Sequence, residues 1–336
     1  MSREAILYRK TDDKQVQCGL CAHRCRIRQG ERGICRVREN SGGTLYTLVY
    51  GKVVAQNSDP IEKKPLYHFQ PGSLSYSIAT AGCNLSCSHC QNYEISLLAP
   101  NLDTIPGTAR SPAEIVDSAL ESGCLSISYT YTEPTIYMEF ALDCGRLAVE
   151  KGLKNVFVTN GFMTPEAVDT AVSFLDAANV DLKGATEEHY RNVCGAGLEP
   201  VLETIRSLHS SGVWVEVTTL IIPGYNDDDA SLNSISEFIA SVDPLVPWHV
   251  GRFFPTYRMM DVPATDPGSL LRAQKAGKKA GLKYVYQGNV RSAPDRTRCH
   301  HCSHILLERS GFTLSANNLS RRGTCPQCET AFNGVL

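Results

Sequence analysis

Charge of one sign and long apolar runs are both scarce in this 336-residue chain. Its 33 Lys and Arg residues nearly balance 35 Asp and Glu residues, and the formal net charge of -2 gives no indication of a nucleic-acid partner. No apolar run approaches the ~18 residues that a membrane-spanning helix needs, and residues 1–10 lack the apolar core of a secretion signal. We therefore expect a soluble cytoplasmic protein without a membrane partner.

Cysteine, by contrast, is abundant and clustered. Fourteen cysteines in a long chain without a secretion signal favour metal ligands over disulfides. The N-terminal cysteine group comprises Cys18, Cys21, Cys25 and Cys35, the central group Cys83, Cys87 and Cys90, and the C-terminal cysteine group Cys299, Cys302, Cys325 and Cys328. The other three, Cys124, Cys144 and Cys194, have no ligand spacing and are expected to be buried core thiols.

Between about residues 75 and 290, short β-branched runs alternate with amphipathic stretches, a pattern that predicts parallel βα units. The predicted strands span 75–81, 125–131, 155–159, 178–182, 213–222, 247–254 and, less clearly, 283–286. Helices are predicted to begin at Ser111-Pro112 and Thr164-Pro165 and to span 135–151, 199–210, 232–241 and 269–280. Six or seven units fall short of a complete eight-fold barrel, so the predicted fold class is α/β, with a partial, open (β/α)6 barrel and reactive groups at the carboxyl ends of its strands.

The cysteine groups divide the chain into four predicted parts. These are an N-terminal four-cysteine metal-binding module at 1–50, a linker or strand at 51–74, the barrel at 75–292 and a C-terminal zinc-ribbon-like module at 293–336. The charged run at 59–69 (DPIEKKPLYHF) is interpreted as a solvated linker.

The central cysteines lie in the segment 81–92 (AGCNLSCSHCQN), which we call the cluster loop. The loop follows the first predicted strand of the barrel. Three thiolates on a cubane leave one iron free for a small-molecule ligand, whereas a structural zinc ion is closed by four protein ligands. We therefore predict a [4Fe–4S] cluster, and the alternative is a zinc knuckle in which His89 joins the three cysteines.

The sequence CNLSCSHC resembles the cluster motif of the radical S-adenosylmethionine (SAM) superfamily. The segments YTEPT, VTNGF, DLKG, IIPGYNDD and PWHVGRFFP are similar to the branch of pyruvate formate-lyase activating enzyme, and within it to the radical SAM enzyme of the AmmeMemoRadiSam system. The resemblance implies an enzyme that cleaves SAM reductively to a 5′-deoxyadenosyl radical. It also implies a low-potential electron donor of the flavodoxin or ferredoxin type and, as candidate partners, other AmmeMemoRadiSam proteins.

The same resemblance assigns positions that contact SAM or the substrate. His89 takes a position near the adenine that is usually aromatic. Thr132, Glu133 and Pro134 match a Gly-Gly-Glu-Pro-like element in which Glu133 receives the SAM amino group, although Tyr131 and Thr132 replace the two glycines. The other implied contacts are Asn92, Asn160, Asp181, Lys183 and His249, with Lys183 as a partner for the SAM carboxylate. Ordinary structural roles stay open as alternatives for Glu133, Asp181, Lys183 and His249.

The two outer cysteine groups predict further metal sites. The C-terminal cysteine group consists of two Cys-x2-Cys pairs separated by 22 residues, which is typical of a zinc ribbon and predicts structural Zn2+. The N-terminal cysteine group suits either tetrahedral zinc or a second iron–sulfur cluster, and we favour zinc.

The substrate does not follow from these motifs, and three hypotheses stay open. The first is a radical SAM enzyme that abstracts hydrogen from a small molecule, nucleoside or metabolite. The second is an activase that removes a glycine Cα hydrogen from a glycyl radical enzyme. The third is a non-catalytic zinc-ribbon protein that binds RNA or protein. We prefer the first over the second because bare activase chemistry does not need two additional metal modules.

Overall fold

The computed structural model of the chain describes residues 3–99, 102–290 and 295–336. A nine-stranded sheet forms the centre of the molecule, and smaller three-stranded sheets lie in the N-terminal and C-terminal parts. The expected boundary between residues 292 and 293 falls outside the described residues. Within the ranges given above, no helix has the length and apolar character needed to cross a bilayer.

The N-terminal module consists of two small antiparallel sheets, in the orders β1-β6-β5 and β2-β3-β4. Its strands are β1 (Arg3–Glu4), β2 (Tyr8–Lys10), β3 (Val16–Cys18), β4 (Arg26–Ile27), β5 (Arg38–Ser41) and β6 (Thr44–Thr47). A buried ion pair joins the module to the barrel, since Arg38 Nη2 lies 2.7 Å from Glu139 Oε1. The apolar side chains of the module pack into the same core as the barrel helices.

The central sheet has the order β15-β14-β13-β12-β11-β10-β8-β7-β9. Its strands are β7 (Lys52–Pro60), β8 (Leu74–Thr80), β9 (Thr108–Ala109), β10 (Ser126–Tyr129), β11 (Lys154–Thr159), β12 (Ala177–Asp181), β13 (Trp214–Ile221), β14 (Trp248–Arg252) and β15 (Val285–Gly288). β8 and β10 to β15 run parallel, while β7 is antiparallel to both β8 and β9. The prediction of a partial (β/α)6 barrel is confirmed, with β15 as a seventh parallel strand.

Helices connect the parallel strands, and each larger helix buries its apolar side against the sheet. They are α1 (Tyr93–Ser96), α2 (Pro112–Glu121), α3 (Met138–Glu150), α4 (Pro165–Val172), α5 (Glu187–His189), α6 (Glu199–Ser210), α7 (Asp229–Val242) and α8 (Pro267–Ala280). The capping box predicted before α2 is present, because Ser111 Oγ accepts a hydrogen bond from Glu114 N and Glu114 Oε2 accepts one from Ser111 N.

Residues 59–69 form the floor of the barrel, so their interpretation as a solvated linker is wrong. Glu62, Lys64 and His68 are buried. Lys64 Nζ lies 2.7 Å from Asp59 Oδ2, a pairing that lets both charges leave water. The backbone amides of Tyr67 and His68 donate to the fully buried carboxylate of Glu216, at 3.0 and 2.8 Å. Because residues 52–60 are also a strand of the central sheet, the segment 51–74 is part of the barrel structure.

The C-terminal module is an antiparallel sheet of β16 (Asp295–Arg298), β17 (Ile305–Ser310) and β18 (Thr313–Asn317). It covers the outside of the barrel floor. Arg309 extends from β17 into the barrel, where its guanidinium is fully buried and lies 3.3 Å from Glu62 Oε1. The ring of Phe332 stacks on His68 at a centroid distance of 5.3 Å. The floor therefore consists of two chain segments that are distant in sequence.

Candidate active site at the carboxyl edge of the sheet

The cluster loop begins at the carboxyl end of β8 and is held by backbone hydrogen bonds to residues 193 and 194. Ser86 N and Ser88 N donate to the carbonyl oxygens of Cys194 and Val193, each at 2.9 Å. Gly82 enters the loop at a φ of 100°, which favours glycine. The central cysteines are consequently placed at the edge where parallel α/β sheets carry their chemistry.

The three central thiols differ in how readily they form the thiolate that binds metal. Cys83 Sγ receives weak contacts from Leu85 N at 3.4 Å and Asn160 Nδ2 at 3.7 Å, both of which stabilise a thiolate. A hydrogen bond from the Cys194 thiol and the nearby charge of Lys183 lower the pKa of Cys87 despite its burial. Burial raises the pKa of Cys83 and Cys90, so these two thiols are expected to lose their protons when metal binds and stabilises the thiolate.

The spacing of the central cysteines fits an iron–sulfur cluster better than zinc. Four thiolates on one zinc ion lie about 3.8 Å apart, given Zn–S bonds of about 2.3 Å in a tetrahedron. Among the described residues, one set of His, Cys, Asp and Glu ligand atoms lies within 4.8 Å of one another, and it is the C-terminal cysteine group. His89 does not join the central cysteines in such a set, which argues against the zinc knuckle. Ligands bound to separate irons of a cubane are expected to be farther apart.

His89 is buried in the cluster loop with its Nδ1 unpaired. Only 5% of the side chain is exposed, and Nδ1 has no hydrogen-bond partner within the described protein. Burial, reinforced by the charge of Lys183, lowers the pKa of His89 to about 3, so the ring is neutral at physiological pH. A buried polar atom without a partner needs an explanation, and a ligand at this edge of the sheet provides one.

Glu133 connects the second parallel strand to the third. Its Oε1 accepts hydrogen bonds from the Thr135 hydroxyl at 2.6 Å and the Thr159 hydroxyl at 2.7 Å, and its Oε2 accepts one from Asn160 N at 2.8 Å. Burial raises the pKa of Glu133, and these hydrogen bonds oppose that effect. Asn160 Nδ2 in turn donates to Asn84 Oδ1 in the cluster loop at 2.8 Å. Glu133 therefore caps the helical turn 134–137 and positions Asn160 against the cluster loop.

The turn before Glu133 has an unusual backbone and binds the far end of the cluster loop. Tyr131 has a φ of 63° at one of the positions where the related element has glycine. Its carbonyl oxygen accepts a hydrogen bond from Asn92 Nδ2 at 2.6 Å. Thr132 Oγ1 donates to Thr80 O at 2.8 Å, and Pro134 is buried. The structure thus brings these predicted residues next to the central cysteines.

Asp181 and Lys183 form an ion pair where β12 ends. Lys183 Nζ lies 2.7 Å from Asp181 Oδ2. Although desolvation acts against it, the charges of Asp181 and Cys87 raise the pKa of Lys183 well above its ordinary value. Asn226 Nδ2 and the Tyr190 hydroxyl fix the Lys183 backbone, at 2.9 Å each. A permanently charged ammonium group is therefore held beside the cluster loop.

His249 is the predicted site residue that the structure does not place with the others. It lies near the amino end of β14, with its Nε2 2.6 Å from Glu216 Oε2. Its ring stacks on Tyr286 and meets the edge of Tyr67 in the barrel floor. Glu216 also binds the backbone of residues 67 and 68, so the observed contacts of His249 are those of a structural residue below the site. The sequence around His249 did not indicate that this residue lies near the amino ends of the strands, below the site.

Three further residues lie in or beside the site and were not predicted there. Asn84 connects the cluster loop to Asn160, as described above. Cys194, expected only as a core thiol, contacts Cys87. His189 on α5 is buried, and its Nε2 has no hydrogen-bond partner within the described protein. Asn84 lies within the cluster loop, between two proposed ligands, so its position in the sequence could have indicated it. Cys194 and His189 are distant from the loop in sequence and approach it only through the fold.

The C-terminal cysteine group has the geometry of a single-ion site. The Sγ atoms of Cys299 and Cys328 lie 3.6 Å apart, as do those of Cys302 and Cys325. All four lie within 4.8 Å of one another, close to the separation expected on a zinc tetrahedron. The module therefore fits the predicted zinc ribbon, with four thiolates and no open coordination position.

The chain is similar to known proteins over part of the barrel and, for one relative, over nearly its whole length. A family profile described as the Radical SAM superfamily matches residues 77–232. The chain is 45% identical over 337 aligned positions to the uncharacterized protein MJ0808 of Methanocaldococcus jannaschii, which covers 99% of this chain and 100% of that protein. It is 23% identical over 181 positions to the pyruvate formate-lyase 1-activating enzyme of Escherichia coli K12, covering 50% of this chain and 71% of the enzyme.

Among solved structures, a radical SAM methyltransferase from Sphaerobacter thermophilus aligns with a TM-score of 0.49 and 14% identity. The alignment covers 64% of this chain and 67% of that protein.

Proposed function

The chain belongs to the radical SAM superfamily, and from that membership we propose that Cys83, Cys87 and Cys90 hold a [4Fe–4S] cluster at which SAM is cleaved reductively. Members of this superfamily are enzymes, which removes the hypothesis of a non-catalytic zinc-ribbon protein. The observation that carries the proposal is the cluster loop, which presents three cysteines at the carboxyl end of the first parallel strand. Among the described residues, no set of ligand atoms at zinc spacing includes these cysteines.

Cys83, Cys87 and Cys90 would hold the cluster, and the iron without a cysteine ligand would be chelated by the amino and carboxylate groups of SAM. The cluster would supply the one electron that cleaves SAM to methionine and a 5′-deoxyadenosyl radical. The protein's own residues bind and orient SAM. Lys183, held by Asp181, provides a positive charge for the SAM carboxylate. Glu133 Oε2 accepts one protein hydrogen bond, which leaves it able to accept another from the SAM ammonium. His89 offers its unpaired Nδ1 and a planar face to the adenine.

The substrate that we propose first is a small molecule, nucleoside or metabolite, from which the radical abstracts hydrogen. The relative MJ0808 aligns over its whole length, so the cysteine-rich modules at both ends belong to the aligned region. The activating enzyme of E. coli aligns over half of this chain. A protein that retains two additional modules therefore fits a task beyond that of an activase, in a system that includes the AmmeMemoRadiSam proteins.

A second candidate is activation of a glycyl radical enzyme, and the edge of the site favours it. The loops that follow the parallel strands expose large apolar side chains, namely Tyr93, Tyr225, Phe254 and Met260. Exposed apolar groups that surround a site are typical of surfaces that bind another polypeptide. For either candidate we propose a flavodoxin- or ferredoxin-type protein as the electron donor.

SAM cleavage tests the proposal directly. Protein reconstituted anaerobically with iron and sulfide, supplied with dithionite and SAM, should yield 5′-deoxyadenosine and methionine by mass spectrometry. Cys90→Ser should lose this product. Cys124→Ser is the matched control, because Cys124 belongs to no ligand group and its thiol contacts the Ser58 hydroxyl at 3.2 Å. Equal product from Cys90→Ser and wild type would disprove the assignment.

Fractionated cell extract distinguishes between the two substrate candidates. Extract is divided into macromolecular and low-mass fractions, and each is added to the reconstituted protein with SAM and reductant in deuterated water. The fraction that contains the substrate should increase 5′-deoxyadenosine formation. A small-molecule enzyme should respond to the low-mass fraction, whereas an activase should respond to the macromolecular fraction and generate a glycyl radical signal in electron paramagnetic resonance (EPR).

A further inference from the structure

The N-terminal cysteine group converges in the structure, although its four members come from separate turns. Cys18 N donates to Cys25 O at 2.9 Å, which closes the turn between them. Cys35 lies just before β5. A Cβ on Gly33, two residues before Cys35, would lie 3.8 Å from Cys25 Sγ. The turn that holds Cys18, Cys21 and Cys25 therefore lies against the segment that leads to Cys35.

This group is not arranged like the zinc site at the other end of the chain. In the C-terminal cysteine group all four Sγ atoms lie within 4.8 Å of one another, and no comparable set occurs for the N-terminal group among the described residues. A cubane binds each thiolate at a different iron, so it holds its ligands farther apart than one zinc ion does. Among the described residues, neither the N-terminal cysteine group nor the central cysteines form a set at the spacing of a single zinc ion.

The N-terminal cysteine group also lies against the cluster loop. A Cβ on Gly82, the residue before Cys83, would lie 3.0 Å from Cys35 O. Adding standard covalent distances to that contact places the Cα atoms of Cys35 and Cys83 within about 11 Å of each other. His23 Nε2 forms a hydrogen bond of 2.7 Å with Asn84 O, and Cys21 pairs through its backbone with Met163. His23 is therefore engaged with the cluster loop and not with the thiols.

We propose that Cys18, Cys21, Cys25 and Cys35 bind a second iron–sulfur cluster, of the [4Fe–4S] type, next to the cluster loop. This inference replaces the zinc ion that the spacing favoured. Four protein thiolates occupy all four irons, so this cluster has no open position for SAM and is suited to one-electron transfer. Its place beside the cluster loop makes it a relay, which accepts one electron from a reduced flavodoxin- or ferredoxin-type carrier and passes that electron to the cluster proposed at Cys83, Cys87 and Cys90.

Metal analysis of a variant that lacks the central cysteines tests the site. Cys83, Cys87 and Cys90 are replaced together by serine in the full-length chain, and the anaerobically reconstituted protein is assayed for iron, sulfide and zinc. We expect about four iron and four sulfide per chain and one zinc from the C-terminal cysteine group. The zinc content also shows that the C-terminal module of the variant is folded. No iron together with a second zinc per chain would overturn the proposal, and it would leave SAM cleavage by the wild type unaffected.

Spectroscopy tests whether the two clusters are neighbours, and this part rests on the proposed function of the central cysteines. Each reduced cluster has an unpaired spin. The EPR spectrum of the reduced wild type should be broadened or split relative to the sum of two variants, one lacking the central cysteines and one with serines in the N-terminal cysteine group. A wild-type spectrum equal to that sum would contradict the relay. Cys124→Ser should contain as much iron as the wild type and have the same spectrum.

Discussion

Replacing Arg309 with alanine should strongly destabilise the floor of the barrel. The Arg309 guanidinium is fully buried, and its Nε lies 3.3 Å from Glu62 Oε1. It also donates to Thr297 Oγ1 at 2.9 Å and to the carbonyl oxygen of Tyr67. In R309A the carboxyl of Glu62 stays buried with Gly72 N as its remaining partner, at 2.9 Å, because Oε2 already has none within the described protein.

Removing one partner of a buried ion pair costs about 3–5 kcal/mol. That cost corresponds to a factor of about 150 to 5,000 in the equilibrium constant of unfolding. Burial raises the pKa of Glu62 against the effect of Arg309. Without Arg309 the carboxyl can take up a proton instead of remaining charged, so we expect the lower half of this range near neutral pH.

Denaturant unfolding followed by tryptophan fluorescence measures the effect. Trp214 reports on the floor, because its Nε1 donates to Glu216 Oε1 at 3.1 Å and its ring stacks on His68. The matched control is R296A in the neighbouring strand. Arg296 Nε lies 2.9 Å from Glu308 Oε1, but 44% of the Arg296 side chain is exposed. Breaking this surface pair should cost less than about 1 kcal/mol.

The comparison of the two arginine variants decides the question. If R309A and R296A lose the same free energy of unfolding, the buried pair of Arg309 and Glu62 does not stabilise the protein more than a surface pair does. A double variant, Glu62→Gln with Arg309→Met, provides a second check. It removes both charges while glutamine keeps an acceptor for Gly72 N, so it should recover more than half of the loss in R309A.

Three further predictions concern the cluster loop, the C-terminal module and pH. Gly82→Ala should lower iron incorporation, because the added Cβ would lie 2.8 Å from Val37 Cγ1. The control is Gly123→Ala, which has a similar backbone penalty at a φ of 66° but no neighbour within 4 Å of the added Cβ. Equal iron content in the two variants would contradict a clash at Gly82. Cys325→Ser should lose zinc. The loss should also shift the fluorescence of Trp214, because Phe332 of the same module packs on His68 and His68 packs on Trp214. An unchanged emission spectrum after zinc loss would show that the floor is independent of the module. Burial lowers the pKa of His68 to about 4 from an ordinary 6.5. The neutral ring should therefore contribute about 3 kcal/mol to the free energy of unfolding above pH 6.5, and this contribution should fall as the pH decreases toward 4. The free energy of unfolding of His68→Gln should vary less across this pH range.

Local patterns in the sequence were sufficient for the parallel units and for the C-terminal cysteine group, whose four Sγ atoms lie within 4.8 Å of one another. The strand predicted at 213–222 is β13, Trp214–Ile221, and the helix predicted at 199–210 is α6, Glu199–Ser210. Strand and helix periodicities and capping residues act over a few positions, so they can be read without knowledge of the fold. The Cys-x2-Cys pairs 299/302 and 325/328 are local in the same sense, whereas their meeting depends on the fold because 22 residues separate them.

The tertiary structure decided which distant segments meet. Residues 59–69 have the charge of a linker, yet they are buried because Glu216 and Arg309 provide partners from far along the chain. His249 follows the same rule, since its partner Glu216 lies 33 residues earlier on a neighbouring strand. A charged side chain is buried only where the fold supplies its counterpart, and this pairing depends on strand register and on crossing connections, which no short window of sequence contains.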